Sequence, residues 1–333
     1  MSFKVGLTRE LRDAQGEPAF GRRALEVLEA NPAIEWEYIP ETLREITPEV
    51  AARYDGIYVN APKVTRASVA REDCRVKIFA RHGVGYDSVD VPAMSERGIL
   101  VTNTPLAVRR PVAVATLTML FALTGRLFVK DRLTRAGRWA ERTSHMGVGL
   151  VGRTLGLVGA GGIGQELLRV AQPFGMRHLV ADPYVDDGVL APLGARRVDL
   201  DRLMGEADFV VVACLLNDET HHLIGAPQFA RMKPTAFFIN MGRGPVVDEP
   251  ALIETLRARR IAGAGIDVFE QEPIDPANPL LALDNVIVTP HALCWTDECF
   301  HDIASTGLRS IVDVSLGRRP AHLVDPGAWK GAA

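Results

Sequence analysis

Leu155-Gly156-Leu157-Val158-Gly159-Ala160-Gly161-Gly162-Ile163-Gly164 is an apolar run that gives way to four closely spaced glycines and then to a helical pattern. The spacing is G-x-G-x-x-G, set directly after a strand and at the opening of a helix; that context lends weight to a pattern that is weak alone. Gly159 permits the tight turn, Gly161 lets the backbone approach a pyrophosphate, and Gly164 allows the helix to lie close to the strand. The helix near Gly162 and Ile163 would then offer the partly positive end of its dipole to the anion. Eighteen residues beyond Gly164 the next strand ends at Asp182. A carboxylate there suits ribose hydroxyls and repels a 2′-phosphate. Pro183 and Tyr184 follow with no Arg or Lys beside them, so NAD is expected rather than NADP.

Outward from this turn, short apolar runs alternate with helical patterns in both directions, which argues for parallel sheets covered by helices. On the N-terminal side the strand candidates are 5–7, 34–39, 57–60, 78–80 and 99–102, with helices expected at 18–30, 48–53, 65–71 and 91–97. A second series runs through 155–158, 179–181, 209–214, 236–240, 265–268 and 286–289. Between the two lies a long helical stretch, 108–126, then a charged stretch, 130–138. After His291 the pattern is helical again to about Leu316. The expectation is an α/β chain of two doubly wound parallel-sheet domains, one flavodoxin-like and one of the dinucleotide-binding type, with a cleft between them.

Composition narrows the function classes. The 333 residues carry 38 Lys and Arg against 41 Asp and Glu, a formal charge of −3, which gives no footprint for nucleic acid or an anionic membrane. Residues 112–123 form an apolar stretch too short to span a bilayer. Four cysteines (Cys74, Cys214, Cys294, Cys299) show no C-x-x-C pair and no metal-like grouping, and no basic-then-apolar leader precedes the first strand. The expected setting is the reducing cytoplasm, with no metal, nucleic-acid or membrane partner.

Three polar positions stand just past predicted strands: Arg243 in Asn240-Met241-Gly242-Arg243-Gly244, the acids of Asp267-Val268-Phe269-Glu270-Gln271-Glu272-Pro273, and His291 in Thr289-Pro290-His291. In open parallel sheets ligands bind at such strand ends. Together with the glycine turn, Gly83-Val84-Gly85-Tyr86-Asp87 and Thr102-Asn103-Thr104-Pro105, these segments resemble the NAD-dependent D-2-hydroxyacid dehydrogenase family over nearly the whole chain. The resemblance implies residues 1–101 and 291–333 as the substrate domain and 102–290 as the NAD-binding domain. It also implies a homodimer built around the long helix and the arm through Trp139 and Arg142.

The implied reaction is reversible hydride transfer between NAD(H) and a small 2-oxo or 2-hydroxy acid: glyoxylate, hydroxypyruvate, pyruvate or a sugar-derived acid. The implied catalytic set is Arg243, which clamps the carboxylate and the adjacent oxygen, His291, which moves the proton, and Glu272, which favours the imidazolium and raises the histidine pKa. Amides of Val84 and Gly85 would take the substrate carboxylate. Gly162 and Ile163 would lie over the pyrophosphate, Leu215 and Thr220 beside the adenosine, and Met241, Gly242 and Asp267 at the nicotinamide end. A phosphite dehydrogenase and an NADH-sensing, corepressor-like binding protein are the alternatives.

The chain departs from the family pattern in two places. The stretch Pro111-Val112-Ala113-Val114-Ala115-Thr116 lacks the acid that often opens the long helix, and Arg109 and Arg110 precede it. One of these arginines could pair with a second anionic group or hydroxyl of the substrate, or either could be a solvated charge or a structural ion pair. Trp295 stands where relatives often carry glycine, and could wall the pocket or pack a helix.

Overall fold

The computed structural model describes residues 2–331 and contains two compact units, Met1–Val108 with Trp295–Ala333, and Arg109–Cys294. In the first unit, β1 (Phe3–Leu7), β2 (Ile34–Tyr38), β3 (Gly56–Val59), β4 (Ile78–Arg81) and β5 (Leu100–Thr102) form one parallel sheet in the order β2-β1-β3-β4-β5. That order has its switch between β1 and β3, as in flavodoxin-like sheets. Short fully apolar strands such as Ile57-Tyr58-Val59 are buried on both faces, as a parallel sheet requires. One face is covered by Leu25, Leu28 and the last long helix, through Ala304, Leu308 and Ile311. The other packs Val50, Tyr54, Val69 and Met94, the last from α1 (Val91–Glu96).

The second unit begins with α2 (Arg109–Thr124) and α3 (Leu127–Arg135), separated by a 55° bend where Arg126 takes a left-handed φ of 52°. Seven parallel strands follow: β6 (Thr154–Val158), β7 (Arg177–Ala181), β8 (Ala195–Arg197), β9 (Phe209–Val212), β10 (Phe237–Asn240), β11 (Gly263–Ile266) and β12 (Val286–Val288). Their order, β12-β11-β10-β9-β6-β7-β8, reverses between β6 and β9, which puts the ligand crevice at the ends of those two strands. Between them run α4 (Gly162–Ala171), α5 (Leu200–Glu206) and α6 (Glu249–Arg257); the apolar faces of α5 and α6 join one core with Val210, Phe238 and Ile266, while α4 packs against α2. The final helix, α7 (Asp297–Ser315), belongs to the first unit and is capped by Thr296, whose hydroxyl accepts from the Cys299 amide at 3.1 Å.

Three expectations need correction. Residues 18–30 form two short turns, Arg22–Leu25 and Glu26–Glu29, because Pro18 and Gly21 at φ 77° hold the chain out of a helix. Residues 65–71 give only the single turn Ala67–Val69. The second sheet has seven strands, gaining β8, which the six-strand reading lacked. Among the described residues no single helix is long and apolar enough to cross a membrane.

Candidate active site at the strand ends of the second unit

β6 delivers the chain into the glycine turn at the sheet's switch point. Gly159 has φ 88°, and a Cβ there would stand 2.6 Å from the Cα of Cys214, just past β9, so only glycine closes this turn. A Cβ at Gly164 would stand 2.5 Å from the Gly159 carbonyl, which accounts for the close approach of α4 to the strand. In front of Gly161 there is open space, with no atom within 4 Å of a Cβ position. The first amides of α4 have no partners within the helix and can serve an anion.

Asp182, at the end of β7, is held by two amides: Ala160 donates to Oδ2 at 2.7 Å and Tyr184 to Oδ1 at 2.9 Å. It lines a pocket of about 480 Å³ with Val158, Pro183, Val198 and Leu223. The cradle, the open helix end and the fixed carboxylate beside a pocket fit an adenine dinucleotide. Arg197 on β8 also lines this pocket, a residue that inspection of positions 183 and 184 could not reveal. It is engaged locally, with Nε 3.0 Å from Asp187 Oδ1 and Nη1 donating to the Val185 carbonyl at 3.2 Å.

The other candidates divide by environment. Leu215 is 60% exposed, so it is no core residue. The Thr220 hydroxyl donates to the Leu215 carbonyl at 2.6 Å and accepts from the Asn217 amide at 2.8 Å, closing its own turn. Met241 is buried, its amide bonded to the Val212 carbonyl at 3.2 Å.

Past β10, Asn240 organises the arginine loop: its side chain accepts from the Gly242 amide and donates to the Arg243 carbonyl, both at 3.1 Å. Arg243 Nη1 donates to the Gly242 carbonyl at 2.9 Å. Gly244 lets this loop abut the segment after β11, since a Cβ there would overlap the Phe269 carbonyl. On that segment the Phe269 amide donates to Glu272 Oε1 at 3.0 Å, while Oε2 lies 2.8 Å from His291 Nδ1. Burial pushes the Glu272 carboxyl up, but the His291 hydrogen bond and charge, the Phe269 amide and the Arg243 charge together hold it below the usual value. The glutamate therefore stays ionised beside the ring and fixes Nδ1 as a donor, which leaves Nε2 for chemistry.

Asp267, 3% exposed, does work that the sequence did not suggest. Its Oδ1 accepts from the Thr289 hydroxyl at 2.6 Å and from the amides of Ala292 and Leu293 at 3.1 and 3.3 Å. These bonds bracket His291, which sits at a left-handed φ of 54°. Backbone in that region costs a residue with a Cβ free energy and persists only where its surroundings hold it.

Elsewhere, Arg110 Nε lies 2.6 Å from Glu166 Oε1 on α4, so this arginine makes a structural ion pair. In the first unit, the loop after β4 carries Val84 and Gly85; Gly83 has φ 112°, and the Val84 carbonyl accepts from Asn103 Nδ2 at 2.8 Å. Trp295 packs edge-on against Phe300, with centroids 4.8 Å apart.

Residues 117–292 match the family model described as D-isomer specific 2-hydroxyacid dehydrogenase, NAD binding domain. The chain is 36% identical over 335 residues to a glyoxylate reductase of Thermococcus gammatolerans, covering 98% of this chain and 96% of that protein. The chain belongs to the D-isomer specific 2-hydroxyacid dehydrogenase family. As a member of it, the protein is an NAD-dependent oxidoreductase of the 2-oxo acid and 2-hydroxy acid class. A second relative of this dehydrogenase, glyoxylate reductase from Korarchaeum cryptofilum, is 41% identical over 254 residues, covering 75% of this chain and 76% of that one. Among solved structures, D-lactate dehydrogenase from Aquifex aeolicus, complexed with NAD and lactic acid, matches with TM-score 0.82 and 26% identity over 96% of this chain and 98% of that one.

Proposed function

We propose that the protein reduces a small 2-oxo acid of the glyoxylate and hydroxypyruvate type, with Arg243, Glu272 and His291 as its catalytic set. The 2.8 Å pairing of His291 with an ionised Glu272 carries this reading. NADH, when bound, supplies the hydride for C2 of the substrate. The Arg243 guanidinium holds the substrate carboxylate and carbonyl oxygen in a planar fork. His291 donates the Nε2 proton to that oxygen as charge develops and recovers it in the reverse direction. Glu272 keeps the ring oriented by accepting from Nδ1.

Asp182 takes the adenosine ribose hydroxyls, Gly159, Gly161, Gly162, Ile163 and Gly164 form the pyrophosphate turn, and Met241, Gly242 and Asp267 border the nicotinamide. Leu215 and Thr220 lie on the adenosine side. We assign substrate recognition to the first unit, through the amides of Val84 and Gly85. The naming of relatives as glyoxylate reductases supports the substrate class. We further assign the enzyme to the cytoplasm as a homodimer without nucleic-acid or membrane partners, a reading supported by four free cysteines, a charge of −3, and exposed Leu127, Phe128 and Trp139 on and after α3.

The test is loss of NADH absorbance with a panel of 2-oxo acids, run beside NAD reduction with phosphite. Turnover of glyoxylate or hydroxypyruvate is expected. NADH binding with no turnover would favour a sensor, and phosphite oxidation alone would favour the phosphite reading. Arg243→Ala and His291→Ala should each fold and bind NADH yet lose at least about a hundredfold in turnover. In Glu272→Gln the pH profile of reduction should move to lower pH.

A further inference from the structure

Arg109 opens α2, and its side chain reaches the N-terminus of α4 within the same unit. A Cβ on Gly162 would overlap Arg109 Nε and stand 2.9 Å from its Cζ, so the guanidinium occupies the space that a side chain at position 162 would need. Its neighbour Arg110 is engaged by Glu166, whereas among the described residues the Arg109 guanidinium makes no hydrogen bond or ion pair. A cation at the positive end of a ten-residue helix, with no carboxylate against it, is unfavourable by itself. An anion placed between the guanidinium and the first-turn amides reverses that sign, and Gly161, one residue before Gly162, faces open space.

We propose that Arg109 is a side-chain ligand of the dinucleotide pyrophosphate, delivered from α2 to the glycine turn through the gap left by Gly162. The proposal rests on NAD occupying that turn. It adds to the backbone amides a planar fork of donors matched to phosphate oxygens. Position 109 then serves the cofactor, and a second anionic group on the substrate is not its partner.

The test is NADH binding to the full-length enzyme by fluorescence titration, with ADP-ribose and adenosine as competitors. In Arg109→Ala, NADH and ADP-ribose should each bind about tenfold more weakly, while adenosine inhibits as in the unaltered enzyme. Arg109→Lys should recover part of the loss, and added salt should narrow the gap between the unaltered enzyme and Arg109→Ala. Gly162→Ala should weaken NADH by displacing the guanidinium, and should add little when Arg109 is already Ala.

NADH affinity within twofold of the unaltered enzyme in Arg109→Ala would overturn the proposal. So would an equal loss for adenosine and ADP-ribose, or an effect confined to the KM of doubly anionic 2-oxo acids. Failure of the unaltered enzyme to bind NADH would instead defeat the cofactor assignment itself, a result distinct from any of these.

Discussion

His291 combines a left-handed backbone with a side chain assigned to proton transfer, so the choice of replacement matters. Ala at φ 54° keeps the backbone strain, whereas Asn tolerates that region and cannot move the proton in the same way. His291→Asn should therefore hold the fold as well as the native residue does while losing at least about a hundredfold in kcat; near-native turnover would remove the role given to the imidazole. Asp267 is the residue that holds the histidine in place. Asp267→Ala leaves a hydroxyl and two amides without their acceptor, and should lower stability by about 2 to 3 kcal/mol in urea unfolding. A change under about 0.5 kcal/mol would show that these bonds do not hold the loop. At the other end of the site, Asp182→Asn should cost NADH about tenfold in affinity and improve NADPH, because Arg197 lines the same pocket. Unchanged cofactor preference would count against the ribose assignment.

At the scale of elements, both sheets and the strand-end position of Arg243, Glu272 and His291 were legible because apolar runs, glycines and polar residues occur in a fixed order. What escaped was short or contextual. β8 is Ala195-Arg196-Arg197, three partly or fully exposed residues with no apolar alternation, and only pairing with β7 makes it a strand. The break between α2 and α3 falls on Gly125-Arg126, where a charged residue adopts a conformation that propensity does not favour. The clamp at Asp267 joins residues 22 to 26 positions apart, which no local pattern encodes. The two loops that abut at Gly244 are equally non-local. Gly244→Ala drives a methyl into the Phe269 carbonyl and must push the Arg243 loop away, so turnover should fall about a hundredfold or more. Activity within threefold of normal would mean that the loops can part without moving the guanidinium.

For the molecule as a whole, acid should act on the two units through different groups. In the first unit, burial, aided by the Arg81 charge, pushes His82 down from 6.5 to about 3, and the ring stays neutral against the Tyr58 hydroxyl at 2.5 Å. The unfolded chain binds that proton below pH 6.5 and the folded one does not, so stability falls as pH drops from 6.5 toward 3. Between pH 6.5 and 5, above most carboxylate titration, a declining urea midpoint is expected, and a Tyr58→Phe/His82→Phe double variant should flatten it. Glu272 in the second unit acts in the same direction but at lower pH: its folded carboxyl lies below the ordinary value, so its contribution is complete above about pH 4.5 and disappears as pH falls further. With both partners more than a third exposed, that contribution is at most about 1 kcal/mol. A particle of about twice 36.2 kDa by light scattering would support the homodimer, and a single-chain mass would remove it.

The first unit is made of chain from both ends of the sequence: Val5, Leu7 and Tyr58 share one core with Ala304, Leu308 and Ile311 of α7. During synthesis on a ribosome, the five-stranded sheet must therefore wait, one face bare, until the last tenth of the protein has emerged. The uninterrupted second unit can meanwhile condense around its own nucleus. Nascent chains arrested once residue 294 has cleared the ribosome should resist protease across 109–294 while their leading hundred residues are digested.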